Sequence, residues 1–223
     1  MALNRAALRA GVFAMTMAGL AACAAAKELP RTGLRSDPRL GTLVSLRGGD
    51  LASDMADAAG YADAVAAGRY DEAARLWLEA HRAALRLESP AEELRPEATE
   101  PDPLGFTHLK YRQVYRGLPV WGSELMLHWN RERRLYLVNG RYLPTPAGLE
   151  TEAALSPEQV VARSGAAPPA DCADCTARLG IYGGKAGPSL AYRWWSPQGV
   201  AQRRQWTVDA HSGEVLEDIV VRR

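Results

Sequence analysis

The stretch His108–Gly122, HLKYRQVYRGLPVWG, is the most informative part of the sequence because it contains one alternating strand, a turn and the start of a second strand. Tyrosine, valine, leucine and tryptophan are frequent in 106–115, 120–130 and 135–142, where the hydrophobic period is two, as in a β-strand. Gly117-Leu-Pro119 and the polar run 130–133 separate these segments and are typical of turns. The sequence therefore predicts a three-stranded antiparallel meander.

The second strand of this meander has two different faces, because side chains two residues apart lie on the same side of a strand. One face carries Trp121, Ser123, Leu125, Leu127 and Trp129, and the other carries Gly122, Glu124, Met126 and His128. We expect the first face to be buried. In the first strand the same alternation puts His108 and Gln113 on opposite faces, so we expect at least one of them to hold the fold by hydrogen bonding.

An amphipathic helix is predicted upstream, over 70–87, where apolar residues recur at three- and four-residue steps. Ser89-Pro90 ends it, because proline lacks an amide proton and restricts the residue before it. His81 lies near the border of the apolar stripe, and we expect it to be a helix-surface or packing residue.

A second unit is predicted after Pro144, Pro146 and Gly148. Ser156, Pro157 and Gln159 form the signature of a helix start with a capping box. Strand patterns follow at 177–182, 189–195, 205–209 and 214–221, the last two joined by the hairpin loop 210–213. The predicted fold class is α+β, with two small units that are each an antiparallel sheet packed with a helix.

The amino terminus has the features of a secretory signal peptide: early arginines, an apolar stretch over 11–22 and no acidic residue before Glu28. Leu20-Ala-Ala-Cys23 resembles a bacterial lipobox, in which Cys23 is acylated, although a chance cysteine in an apolar signal is the alternative. We therefore expect residues 1–23 to be a lipoprotein signal and 24–49 to be a polar tether. The expected location is the cell envelope, anchored in the outer membrane by lipid and facing the periplasm, as Ala24 after the cysteine favours.

Two further cysteines, Cys172 and Cys175, remain after Cys23. Their spacing allows a redox centre, but Asp171 and Asp174 disfavour a thiolate, so a structural loop disulfide is favoured. A zinc site is less favoured, because no second pair of ligands stands nearby. The chain has 27 basic and 26 acidic residues, which gives no charge signature for binding nucleic acid.

The central stretch resembles the fungalysin/thermolysin propeptide (FTP) family. The matching positions are His108, Lys110, Tyr111, Gln113, Tyr115, Gly117, Pro119, Val120 and Gly122, followed by Glu124 and Val138-Asn-Gly140. Lys110 replaces a usual arginine and cannot make that residue's bidentate contact. The resemblance implies an FTP-like domain over 50–147.

The segments 155–159, 190–193 and 206–216 are similar to a PepSY domain, which would then cover 148–223. FTP followed by PepSY is the propeptide order of thermolysin-like zinc proteases. None of the four histidines opens the His-Glu-x-x-His motif that such a protease needs for its zinc, and the chain ends at Arg223 without a protease domain. We therefore expect no enzyme, no catalytic or metal-binding residue and no cofactor.

The resemblance implies that the chain binds a thermolysin-like metalloprotease and inhibits it or assists its folding in trans. The expected contact residues are His108, Lys110, Arg112, Gln113, Glu124, Val221, Arg222 and Arg223. Two alternatives stay open: the front part of a zymogen, and an envelope PepSY-type binding protein unrelated to proteolysis. A catalytic role for the Asp209–Gly213 segment is disfavoured, because that spacing is simply a strand end and a turn.

Overall fold

The predicted meander lies at the centre of the fold and is formed by β4 (Thr107–Tyr115), β5 (Leu118–Trp129) and β6 (Leu135–Arg141). The computed structural model describes residues 27–55, 60–165, 175–197 and 202–222. Antiparallel pairing joins β4 to β5 and β5 to β6, and places Leu125 and Leu127 of β5 in the core. The prediction that this face is buried is confirmed, except that Trp121 is only half-buried.

Three strands that the sequence analysis did not predict extend this sheet. They are β1 (Leu34–Ser36) and β2 (Leu43–Arg47) beside β6, and β3 (Leu94–Pro101) beside β4. The predicted tether 24–49 is therefore wrong for its second half, because Leu43 and Leu46 of β2 are buried in the core. Pro96 and Pro101 fit β3 because it pairs only with β4 among the described strands, and an edge strand tolerates missing amide donors.

The predicted helical region packs against one face of this sheet as short helices. They are α1 (Tyr61–Ala66), α2 (Tyr70–Ala80), α3 (Arg82–Leu85) and α4 (Pro90–Glu93). Trp77 of α2 is fully buried, and its Nε1 donates to the carbonyl of Leu51 at 3.0 Å. His81, expected to be a helix-surface or packing residue, is only 1% exposed and stacks on Trp77 with ring centroids 4.3 Å apart. His81 is thus a core packing residue.

The second half of the chain forms the predicted helix and four strands. They are α5 (Pro157–Ser164), β7 (Arg178–Gly184), β8 (Gly187–Pro197), β9 (Gln202–Asp209) and β10 (Val215–Arg222). The predicted capping box is present, since Ser156 and Gln159 bond each other's backbone amides. The β9–β10 turn is held by Asp209, whose Oδ1 accepts the amides of His211 and Ser212, and Gly213 takes φ 78°.

The two halves share one sheet, and this differs from the expectation of two separate sheets. Val120 of β5 pairs in parallel with Ile181 of β7, so the ten strands of the described residues are continuous. Gly180 permits this approach, because a Cβ there would lie 2.7 Å from the Trp121 ring. Each half keeps its own hydrophobic core, one around Trp77 and Trp129 and one around Ile181. The α+β class is confirmed, with strands dominating.

Candidate functional site

Strand β4 distributes the predicted contact residues between two faces of the sheet. Leu109, Tyr111 and Gln113 are buried on the inner face. His108, Lys110 and Arg112 alternate with them and reach the outer face, where Glu124 of β5 stands directly opposite Arg112. The structure therefore brings four of the predicted residues together on one exposed surface, which we call the outer face, and removes Gln113 from it.

Gln113 was predicted to contact a partner, and its burial contradicts that prediction. Its side chain is 1% exposed, its Nε2 donates to the carbonyl of Leu143 at 2.8 Å, and its Oε1 accepts the Leu143 amide at 2.9 Å. One side chain thus satisfies both backbone groups of a buried residue 30 positions away. Gln113 is the fold-holding hydrogen bonder that the alternation of β4 led us to expect.

The outer face carries a network of two cations and two anions. Glu97 of β3 accepts from Arg112 at 2.8 Å and pairs with Lys110 at 3.3 Å, while Glu124 lies 3.4 Å from Lys110 and 3.6 Å from Arg112. The hydrogen bond from Arg112 is the main reason that the pKa of Glu97 is lowered. The four charges balance within the face, so a partner must offer both signs of charge to replace these contacts.

His108 meets a second histidine at the end of the same face. Its Nδ1 is 2.7 Å from Nδ1 of His128, the residue directly opposite on β5, and its Nε2 is 3.3 Å from Oδ2 of Asp102. Nε2 of His128 lies 2.7 Å from Oδ1 of Asn139 on β6. The hydrogen bond from the Phe106 amide is the largest cause that lowers the pKa of Asp102, and the contact with His108 lowers it further, so the carboxylate is ionised. Burial, as the largest cause, lowers the pKa of His128.

A cleft of about 290 Å³ lies where the two halves of the sheet meet. Arg193 of β8 reaches across it and stacks on Trp121 of β5 at 4.4 Å from the ring centroid. Glu217 of β10 lies 3.5 Å from this guanidinium and also accepts from Gln205 and Tyr182. Within the cleft, Arg193 thus contacts the first half through Trp121, and Glu217 holds the guanidinium from within the second half.

Of these cleft residues only Trp121 was singled out from the sequence, as part of the strand face expected to be buried. Arg193 and Glu217 are distant from Trp121 in the chain, and only the β5–β7 pairing brings them together. The sequence shows only that Arg193 and Glu217 are charged residues inside predicted strands. Charged residues are also common at solvent-facing strand positions, so this pattern does not indicate a cleft.

Strand β10 holds the predicted carboxyl-terminal contact residues. Val221 and Arg222 pair with Arg203 and Gln202 of β9, and Arg223 lies outside the described residues. In the described part of the chain β10 has a neighbour on one side only. Ile219 and Val220 are 41% and 55% exposed. This edge therefore combines unpaired backbone groups with exposed apolar side chains, as strand-pairing surfaces do.

Of the residues predicted for lipidation and for a disulfide, the structure describes only Cys175. Cys175 is buried and disulfide-bonded. Cys172 and Cys23 lie outside the described residues. Among the residues that are described, no three His, Cys, Asp or Glu side chains are grouped to hold a metal ion. In the same ranges no helix has the length and apolar character needed to cross a membrane.

The sheet built around β4 is also what known proteins share with this chain. Residues 92–142 match the family described as Fungalysin/Thermolysin Propeptide Motif. That segment runs from the end of α4 through β3, β4, β5 and β6, and so contains both Gln113 and the outer face.

Curated relatives extend the propeptide match. Thermolysin from Alicyclobacillus acidocaldarius subsp. acidocaldarius and thermolysin from Bacillus caldolyticus are each 34% identical over an alignment of 129 residues that covers 52% of this chain. The match spans only 23% of the length of these relatives. Together with the propeptide motif, it relates this chain to the propeptide region of thermolysin-like proteases and not to their protease domain.

One solved structure shows a weak likeness. The Bacillus megaterium YpeB C-terminal domain aligns over 74% of this chain and 66% of its own, with 12% identity and a TM-score of 0.35. A likeness at this level says nothing about function.

Proposed function

We propose that this chain is a propeptide-like module that binds a separate thermolysin-like metalloprotease and inhibits it or assists its folding. The observation that carries the proposal is the propeptide motif over 92–142, in a chain whose relatives are thermolysins. In the proposal the reactive groove belongs to the partner, and this chain contributes shape, charge and backbone pairing.

The proposed docking edge is the second half of β10. Ile219 and Val220 are exposed there, beside backbone groups that no described strand pairs with. An added strand from a partner would gain backbone hydrogen bonds along this edge and bury apolar surface against the two side chains. Val221, Arg222 and Arg223 continue the same edge toward the chain end in the proposal.

The outer face is the second proposed contact. Lys110, Arg112, Glu97 and Glu124 are partly exposed and already charge-balanced. A complementary partner surface would exchange these pairs for pairs across the interface, which favours specificity and association rate over affinity. We propose that His108 adjoins this contact at its end.

Inhibition and refolding measurements test the proposal. We expect the purified chain to inhibit a thermolysin-like protease from the same cell, or to raise its refolding yield, at roughly micromolar concentration or below. Replacing Ile219 and Val220 by lysine should weaken the effect by about tenfold or more, because lysine on an edge strand opposes pairing. Val215→Lys is the matched control, since Val215 is 39% exposed on the same strand but lies beside the hairpin.

Two results would reject the proposal. The first is an unmodified chain that neither inhibits nor assists refolding at micromolar concentration. The second is an equal loss of the effect on the protease in the Val215→Lys control and in the variant of Ile219 and Val220. Equal losses would show that the second half of β10 is not the docking edge.

We further propose that the second half is PepSY-like and that the chain is anchored to the cell envelope through acylated Cys23. The similar segments 155–159, 190–193 and 206–216 support the first statement, and the Leu20–Cys23 lipobox supports the second. Metabolic labelling with palmitate should mark the natural protein and leave a Cys23→Ala variant unlabelled. Equal labelling of both would show that the anchor is elsewhere or absent.

A further inference from the structure

The two histidines at the end of the outer face form the middle of a continuous chain of polar contacts across four segments. Asp102 precedes β4, His108 is on β4, His128 is on β5 and Asn139 is on β6. We propose that His108 and His128 hold one proton between their Nδ1 atoms as a clasp, and that the clasp opens when a second proton is added. The clasp is a property of this chain alone and does not rest on the proposed function.

Counting donors and acceptors gives the number of protons. Asp102 Oδ2 and Asn139 Oδ1 can only accept, so each histidine must present an Nε2–H to its neighbour. Both Nδ1 atoms are then left facing each other at 2.7 Å. Two bare lone pairs at that distance repel, whereas a single N–H donated from one ring to the other makes a short hydrogen bond. One shared proton is the arrangement that satisfies every group.

The shared cation is a proton and not a metal ion. Nδ1 atoms 2.7 Å apart are too close to be two ligands of a tetrahedral zinc ion, since ligand bonds of about 2.0–2.1 Å place them roughly 3.3 Å apart. The described residues also supply no third His, Cys, Asp or Glu ligand at this place.

The surroundings oppose a second positive charge. Arg47 of β2 faces the pair from beyond Tyr136, whose ring centroid is 6.0 Å from the guanidinium and 6.3 Å from the His128 ring. Lys110 is the next outward residue on β4, and Asp102 is the carboxylate in contact with the pair. In register, Glu100 of β3 stands opposite His108. Two imidazolium rings could not keep the observed contact, because both Nδ1 atoms would then be donors.

Acid should therefore open the clasp. Because the pKa of His128 is lowered in the folded chain, mainly by burial, the unfolded chain binds more protons below the ordinary histidine pKa of about 6.5. Well above pH 6.5 the unfolded pair binds no extra proton while the clasp keeps one, and well below it the unfolded pair binds two. The contribution of the pair to stability is therefore greatest near pH 6.5 and is lost as pH falls below it or rises well above it. Loss of the His108–His128 contact would separate β4 from β5 near the start of β4, next to the turn that contains Asp102.

The test compares urea unfolding of the full chain at about pH 6.5, the ordinary histidine pKa, and at about pH 5. We expect the equilibrium constant for unfolding of the unmodified chain, relative to His128→Asn, to rise by up to roughly eightfold on going to the lower pH, because the unfolded pair gains a second proton that the clasp does not accept. His108→Asn should give the same result as His128→Asn, because either change removes the pair. His211→Asn is the control, since His211 is exposed in the β9–β10 turn and should keep the full pH response.

Nitrogen-15 NMR of the histidine rings gives a readout that does not depend on stability. We expect both rings to carry an Nε2–H and to share a downfield Nδ1 proton. A neutral pair, with His128 protonated on Nδ1 and bare on Nε2, would overturn the proposal. Unchanged pH dependence in both asparagine variants, or a stability that zinc raises and a chelator lowers through these two rings, would overturn it as well.

Discussion

The two faces of β4 use neighbouring residues of one motif for opposite purposes. Gln113 points inward, is buried and bonds both backbone groups of Leu143. Arg112, one residue before it, points outward and shares two half-exposed carboxylates with Lys110. A neutral amide without competing water holds the fold, whereas a charged network in contact with water contributes little to stability. The propeptide motif therefore combines structural residues and surface residues in a single strand.

Removing the inner contact should have the largest effect. Gln113→Ala leaves the buried amide and carbonyl of Leu143 without partners and creates a cavity, and we expect it to cost about 3 kcal/mol of unfolding free energy. Urea unfolding followed by circular dichroism measures this loss. A cost below about 1 kcal/mol would contradict the structural role assigned to Gln113.

Tyr111, two residues earlier on the same inner face, should have an intermediate effect. Its hydroxyl donates to Oδ1 of Asp71 on α2 at 2.9 Å, and burial raises the pKa of the phenol. Tyr111→Phe keeps the buried ring and removes this bond, so we expect a loss of about 1 kcal/mol. The same unfolding measurement, with Tyr136→Phe as a half-buried tyrosine control, would show whether the bond matters. Equal losses in the two variants would argue against it.

Arg112→Ala should have the smallest effect on stability, below about 0.5 kcal/mol, and the loss should shrink further in high salt. Its effect should appear instead in the association rate with the protease, if the outer face is a contact. Stopped-flow binding at two salt concentrations measures that rate. A loss of unfolding free energy in Arg112→Ala as large as that in Gln113→Ala would contradict the conclusion that only the inner face of β4 holds the fold.

Periodicity predicted most strands of this fold but not their assembly. All seven strands predicted from 106 onward are present, because alternating apolar residues and turn residues are local signals. Strand β2 was not predicted because it is short and lies in a polar, glycine-rich segment. Its burial depends on pairing with β6, which is distant in the chain. The junction of β5 and β7, and with it the contact of Arg193 with Trp121, arises only in three dimensions.

For the outer face, the sequence predicted which residues share a side of the strand but not what each residue contacts. Alternation correctly assigned His108 and Gln113 to opposite faces, but it could not say which face a helix would cover. The resemblance named Gln113 as a contact residue because a family motif does not distinguish fold-holding positions from partner-facing ones. His128 was placed on the outer face, yet its contact with His108 depends on the register between β4 and β5, which the turn sequence alone did not fix.

Hydrogen exchange, measured on the chain alone and mixed with a purified thermolysin-like protease, shows whether the two proteins pair through β10. We expect slower exchange in β10 over residues 217–222 and little change at Gln113, whose side chain is already buried. Exchange in β10 that is the same with and without saturating protease would contradict the claim that this chain is a module for covering that enzyme.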